Sequence, residues 1–238
     1  MGKSNTFSKL TIIIPAFNEE STIEDVLIAV TKVKLPYSIE KQILVVNDKS
    51  TDRTGVLVAN YIKSTDDKTI QLINHDENKG KGASIQSAIP HIEGDLTIFQ
   101  DADLELDPNQ IGLLIDQMVN SDANVVYGNR FANAKDHNRW SLYYIINRFL
   151  TRFSNLKTGL RISDMECCYK LIQTELLKSI ELKEKGFGIE PEITAKLNKL
   201  SNSSFSEHPI TYQRRSYNDG KKIGWKDGVR TIYCILKY

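Results

Sequence analysis

Short β-branched runs alternate with helical patterns through the first half of the chain. Leu10–Ile14 reads as a buried strand that stops at Pro15, followed by a helix over Glu20–Val33. Ile43–Val46 reads as a second strand with a helix over Asp52–Lys63. Thr69–Ile73 reads as a third strand with a helix near Ala83–Ile89. A fourth strand covers Asp95–Phe99, and a helix follows Pro108, with Asp107 as its N-cap. Asn124–Gly128 reads as a fifth strand. Continuous apolar strands separated by helices predict a mostly parallel, doubly wound α/β sheet with helices on both faces.

The rhythm changes near residue 130. Residues 139–157 form a long helical pattern rich in aromatics and arginine. A short segment at Asp164–Ile172, a helix near Glu192–Leu200 and a strand near Ser206–Tyr212 follow. The tail from Gln213 to Tyr238 holds seven basic against two acidic residues, a net +5 that leaves −4 on the remainder. Neither an internal repeat nor a Pro/Gly/Ser-rich linker divides the 238 residues, so one domain is expected.

A net charge of +1 gives no bulk attraction to nucleic acid. The three cysteines, Cys167, Cys168 and Cys234, make no disulfide framework and no zinc spacing. They suit a reducing compartment. The N-terminus lacks a secretory pattern, and no apolar run reaches the roughly 20 residues of a membrane span. The protein is therefore expected in the cytoplasm, soluble or peripheral on the cytoplasmic face of a membrane.

Ligands of open α/β sheets bind beyond the carboxyl ends of the strands. Those ends carry polar clusters here: Pro15-Ala16-Phe17-Asn18-Glu19-Glu20, Asn47-Asp48, Gln100 to Glu105, and Gly128-Asn129-Arg130. In extended chain the carboxylates of Asp101 and Asp103 project on one side of Ala102, and Glu105 continues the series. Such hard oxygens suit Mg²⁺ or Mn²⁺; a polar turn capping the next helix is the plainer alternative. Asp48 sits in a turn-rich stretch and precedes the cap at Thr51 or Asp52; a ribose hydroxyl or a base edge would suit it. Asn78-Lys79-Gly80-Lys81-Gly82 is a glycine-rich loop entering a helix without the full phosphate-loop pattern. No GxGxxG follows the first strand, which argues against a nicotinamide enzyme.

The motifs TIIIPAFNEE, ILVVNDKSTDRTG, NKGKGASIQSAI, GDLTIFQDADLELDP, VVYGNRF, SDMECCYKLI, GFGIEPEITAKL and GKKIGWKDG run through almost the whole chain in order. The chain resembles the inverting family 2 glycosyltransferases of GT-A fold, and within them the dolichyl- or polyprenyl-phosphate mannose and glucose synthases. The resemblance implies a nucleotide-sugar half over 1–130 and an acceptor-side half over 131–238. It implies a nucleotide pocket lined by Pro15, Ala16, Phe17 and Glu19, with Asp48 on base or ribose. It also implies a metal site at Asp101, Asp103 and Glu105, Arg130 near sugar and phosphates, and Lys81 and Ala102 among the substrate-binding residues. Arg215 with Lys221 or Lys222 would close over a phosphate. Asp103, Asp164 and Arg215 are the catalytic candidates; Asp164 is open as base, acceptor-orienting group, metal helper or structural partner of the turn before Cys167.

The expected reaction is metal-dependent transfer of a hexose from a GDP- or UDP-sugar to a polyprenyl phosphate. A saccharide acceptor in surface-polysaccharide synthesis is the close alternative, and a non-catalytic nucleotide-sugar-binding subunit is a different class. Helical spacing places Ile145, Ile146, Phe149, Leu150 and Phe153 on one apolar face flanked by Arg148 and Arg152. That face is expected against a membrane, against its own domain, or in a homodimer.

Overall fold

A computed structural model describes residues 7–132, 142–213 and 225–238. A seven-stranded sheet runs through them in the order β3-β2-β1-β4-β6-β5-β7. The strands are β1 (Lys9–Ala16), β2 (Glu40–Asn47), β3 (Ile70–Asn74), β4 (Leu96–Phe99), β5 (Val125–Asn129), β6 (Lys170–Gln173) and β7 (Phe205–Pro209). The helices are α1 (Ile23–Lys32), α2 (Thr54–Thr65), α3 (Lys81–Ala88), α4 (Ile111–Ser121), α5 (Leu142–Thr158), α6 (Thr174–Ser179), α7 (Ile189–Asn198) and α8 (Trp225–Lys237). All neighbouring strands are parallel except at β6, which runs antiparallel to both β4 and β5. The mostly parallel α/β fold is as the pattern predicts.

The central parallel strands β1 and β2 are apolar on both faces because helices cover both. Ile12, Ile13 and Ile14 of β1 and Ile43 to Val46 of β2 are all fully buried. Asp107 caps the turn at Pro108 by accepting from the Asn109 N–H at 2.9 Å, and that turn leads into α4. From β1 the chain winds outward to β2 and β3, then returns to place β4 on the other side of β1. A crevice for ligand opens where such a sheet reverses its order, here at the carboxyl ends of β1 and β4.

The second half of the chain adds what its pattern left open. The segment at Asp164–Ile172 ends in an antiparallel strand, β6, which begins at the buried Lys170. The helical pattern of 139–157 yields α5 from Leu142, with residues 139–141 outside the described residues, and most of its apolar face does not pack on its own domain. Asn147, Thr151 and Ser154 face inward, whereas Ile145, Ile146 and Phe149 are exposed. Only Leu150 of the apolar set is buried; Phe153 is half-buried and stacks on Phe149.

The described part of the basic tail is the helix α8. Its charges are partly spent on Glu184. That side chain accepts from Arg230 Nε and Nη2 at 2.9 and 2.6 Å, and from Lys237 Nζ and the Tyr238 hydroxyl at 3.1 and 2.9 Å. Burial opposes ionisation of Glu184, but these donors hold its pKa down at about 2. A carboxylate depressed in the folded state stabilises above its ordinary pKa and loses that contribution as pH falls towards the depressed value. Protection of the α8 amides from hydrogen exchange should therefore fall between about pH 4.5 and pH 2. Glu184→Gln should weaken the docking of α8 by about 2 kcal/mol at pH 7 and remove this acid dependence.

Candidate active site

A cavity of about 970 Å³ occupies the crevice at the ends of β1 and β4. Pro15, Ala16, Phe17 and Glu19 line it from the end of β1, and Asp48 from the end of β2. Asp101, Ala102, Asp103 and Glu105 line it from the loop after β4, Lys81 from the start of α3 and Arg130 from the end of β5. The strand-end residues singled out in the sequence thus share one cavity. Arg215, Lys221 and Lys222 lie outside the described residues.

Asp48 is nearly fully buried and braces the glycine-rich loop. Its carboxylate accepts from the backbone N–H groups of Lys79 at 2.8 Å and Gly80 at 2.7 Å, and lies 2.7 Å from His75 Nδ1. Gly80 has φ +94°, and a Cβ on Gly82 would stand 2.2 Å from the Glu184 carbonyl oxygen. The backbone of 184–186 therefore packs directly on this loop, which only glycine permits. The loop delivers Lys81 into the cavity.

Lys81 Nζ is shared between Asp101 Oδ1 at 2.8 Å and Glu190 Oε1 at 3.1 Å. Beneath them Lys170 Nζ, completely buried, pairs with the other oxygen of Glu190. Burial works against the charge on Lys81, yet Asp101 and Glu190 keep its pKa well above the ordinary lysine value. Burial likewise opposes ionisation of Asp101, and Lys81 overcomes it. Sequence patterning missed Lys170 and Glu190, because a lysine within an apolar run and a glutamate in a charged helix carry no sign of burial.

Arg130 is held rather than free. Its Nε and Nη2 donate to Asp164 Oδ2 and Oδ1 at 2.7 and 2.8 Å, its backbone N–H adds a third bond at 3.1 Å, and Nη1 donates to the Tyr143 hydroxyl at 2.7 Å. The guanidinium also sits 5.3 Å from the Tyr212 ring centroid, and the Tyr212 hydroxyl donates to Glu105 Oε2 at 2.9 Å. Asp164, expected among the catalytic groups, is fully buried with both oxygens on Arg130, and it does not line the cavity. It positions Arg130. The pocket-lining carboxyl of that segment is Glu166 instead, which the sequence offered only as a neighbour of Asp164.

Residues 11–181 match the model of glycosyl transferase family 2. The chain belongs to this family. Among curated relatives it is 24% identical to the dodecaprenyl-phosphate galacturonate synthase of Rhizobium johnstonii, over 96% of this chain and 65% of that protein. It is 28% identical to the dolichyl-phosphate beta-glucosyltransferase of Trichomonas vaginalis, over 96% and 72%. It is 25% identical to the dolichol-phosphate mannosyltransferase of Pyrococcus furiosus, over 97% and 64%. The chain thus spans about two-thirds of the length of these relatives. The glucosyl-3-phosphoglycerate synthase of Mycobacterium tuberculosis, solved with UDP, superimposes with a TM-score of 0.73 at 16% identity, covering 97% of this chain and 79% of that one. That likeness establishes the GT-A architecture of this family 2 chain.

Removing half of a buried ion pair leaves an uncompensated charge, which costs about 3–5 kcal/mol. Asp164→Asn should accordingly lower the unfolding free energy by about 3 kcal/mol in urea denaturation. Unchanged stability with turnover lost would return Asp164 to the catalytic group.

Proposed function

We propose that this family 2 chain transfers a hexose with inversion from a nucleotide-sugar to a polyprenyl phosphate. The mixed lining of the cavity carries this reading. Asp101, Asp103, Lys81 and Arg130 bring charge and suit a diphosphate, whereas Leu142, Ile146 and Leu150 of α5 and Val229 and Ile232 of α8 are apolar and suit a lipid. The names of the three curated relatives given above, which carry dolichyl or dodecaprenyl phosphate, agree with that combination.

Asp101 and Asp103 fit a divalent cation in the way Mg²⁺ is usually held, by one or two carboxylates with substrate phosphates and water completing the shell. Among the described residues no cluster of three or more acidic, His or Cys side chains is gathered to hold one unaided. Structural neighbours have been solved with Mn²⁺ or Mg²⁺ and UDP. Glu105 would be the further carboxylate. When bound, such an ion neutralises charge developing on the departing diphosphate.

The chain's own residues do the rest. Pro15, Ala16, Phe17 and Glu19, with Asp48 behind the loop, form the nucleotide end. Lys81 is a fixed cation beside the departing diphosphate, where charge develops in the transition state. Arg130 lines the cavity in an orientation fixed by Asp164. Arg215 with Lys221 or Lys222 supplies further positive charge over the phosphates. The acceptor phosphate oxygen attacks the anomeric carbon as the bond to diphosphate breaks. An acceptor already ionised near neutral pH needs no strong base. The nucleotide-sugar half is 1–130 and the acceptor-side half 131–238.

The exposed apolar residues of α5 and α8 continue the apolar part of the lining onto the surface. Leu142 is 72% exposed, Phe149 58% and Val229 58%, while Leu142 and Val229 also line the cavity. Arg152 and Lys157 are exposed on the same helix, α5. An apolar face with flanking basic residues fits the surface of an anionic bilayer. No helix among the described residues is long and apolar enough to cross a membrane.

The direct test incubates the protein with Mn²⁺, UDP-glucose or GDP-mannose, and either a polyprenyl phosphate or water-soluble saccharides. A solvent-extractable glycosyl phospholipid is expected; product on the saccharide alone, or nucleotide bound without transfer, contradicts the reading. Asp101→Ala and Asp103→Ala should each lower turnover more than tenfold, over about 1.4 kcal/mol of barrier, with the fold intact. Wild type should co-sediment with anionic vesicles at low salt, and Phe149→Ser should weaken this; wild type left in the supernatant would remove the membrane role.

A further inference from the structure

The carboxylate of Asp101 already carries a positive charge. Its Oδ1 lies 2.8 Å from Lys81 Nζ, and the same ammonium lies 3.1 Å from Glu190 Oε1. The two acids differ in their surroundings. Glu190 is buried, with its other oxygen on Lys170, so it holds Lys81 from the interior. Asp101 has a side chain 36% exposed and lines the cavity together with Asp103. The backbone of Lys81 has no room to retreat. Gly80 and Gly82 on either side of it pack against the backbone of 184–186, and the Ala83 N–H donates to the Lys185 carbonyl at 2.9 Å. What can pivot is the lysine side chain.

A divalent ion on Asp101 must take the oxygen that Lys81 holds, or sit beside an ammonium of like charge. Either is unfavourable for the ion alone. A nucleoside diphosphate changes the balance, because its anionic oxygens offer Lys81 a partner in place of Asp101 and offer the ion further ligands. We propose that Lys81 guards the metal site, so that a divalent ion binds Asp101 tightly only in company with the diphosphate. The proposal rests on the nucleotide-sugar reading of the cavity. It gives Lys81 a task in ion loading, distinct from its place beside the departing group, and Glu190 keeps Lys81 at hand once Asp101 is released. The effect is reciprocal: the nucleotide tightens the ion by the same factor as the ion tightens the nucleotide.

The test titrates Mn²⁺ into the protein, reading free ion by electron paramagnetic resonance, with and without UDP or GDP. Wild type should bind the bare ion weakly, and the nucleotide that binds should tighten it about tenfold or more. Lys81→Met and Lys81→Gln should each bind bare Mn²⁺ about tenfold more tightly than wild type while binding the nucleotide more weakly. Lys81→Arg, which keeps the charge, should keep the bare ion weak. Adding Asp101→Asn to Lys81→Met should abolish the gain, which assigns it to this carboxylate. Bare Mn²⁺ bound by wild type as tightly as in the presence of nucleotide would overturn the proposal without any variant. So would unchanged or weaker bare-ion binding in the two neutral variants with their melting temperatures maintained. Failure of both nucleotides to bind wild type would instead overturn the nucleotide-sugar reading; the bare-ion comparison with Lys81→Met needs no nucleotide and decides the part of Lys81 even then.

Discussion

A line of alternating charge, Lys170–Glu190–Lys81–Asp101, runs from the interior of the sheet to the floor of the cavity. It joins β6, α7, α3 and the loop after β4, four pieces of chain distant in sequence. Its buried members, Lys170 and Glu190, are tolerated only together, because an unpaired charge in a low-dielectric interior costs several kcal/mol. Asp101, at the cavity end of the line, is about a third exposed. The antiparallel strand β6 therefore does more than fill the sheet. It seats the cation from which the orientation of Glu190, Lys81 and finally Asp101 follows.

A second layer of polar contacts holds this line in place. Glu192, fully buried two residues after Glu190, accepts from the backbone N–H groups of Lys183 and Glu184 at 2.8 and 2.7 Å and pairs with Lys196. The segment so anchored presses on Gly80 and Gly82 and carries the carboxylate that docks α8. The wall of the cavity that suits a lipid and the loop that suits a phosphate are thereby tied to one short stretch, 183–186.

Much of this was legible in the residues. Strands β1, β2, β4 and β5 announce themselves as apolar runs, because a sheet covered on both faces needs no polar alternation. The polar clusters after those runs mark the crevice, and the described candidates of 1–130 all line it. What was not legible shares one cause: local pattern carries hydrophobicity, and the remaining features rest on charges whose partners are remote in sequence. Lys170 makes β6 read as irregular. Arg230 and Lys237 make α8 read only as part of a basic tail, although Glu184 claims both. Asp164 looks like a free acid until Arg130 is placed against it. The helix α5 misleads in the other direction, its inward face being Asn147, Thr151 and Ser154.

The dependence of the structure on the buried line is tested most directly by a double-mutant cycle in urea denaturation at Lys170 and Glu190. Glu190→Gln leaves Lys170 buried without its counter-charge and should cost about 3–5 kcal/mol. Adding Lys170→Met removes the stranded charge, so the double variant should be more stable than Glu190→Gln alone. Single losses that simply add in the double variant would show that the two charges act independently, and would contradict the account.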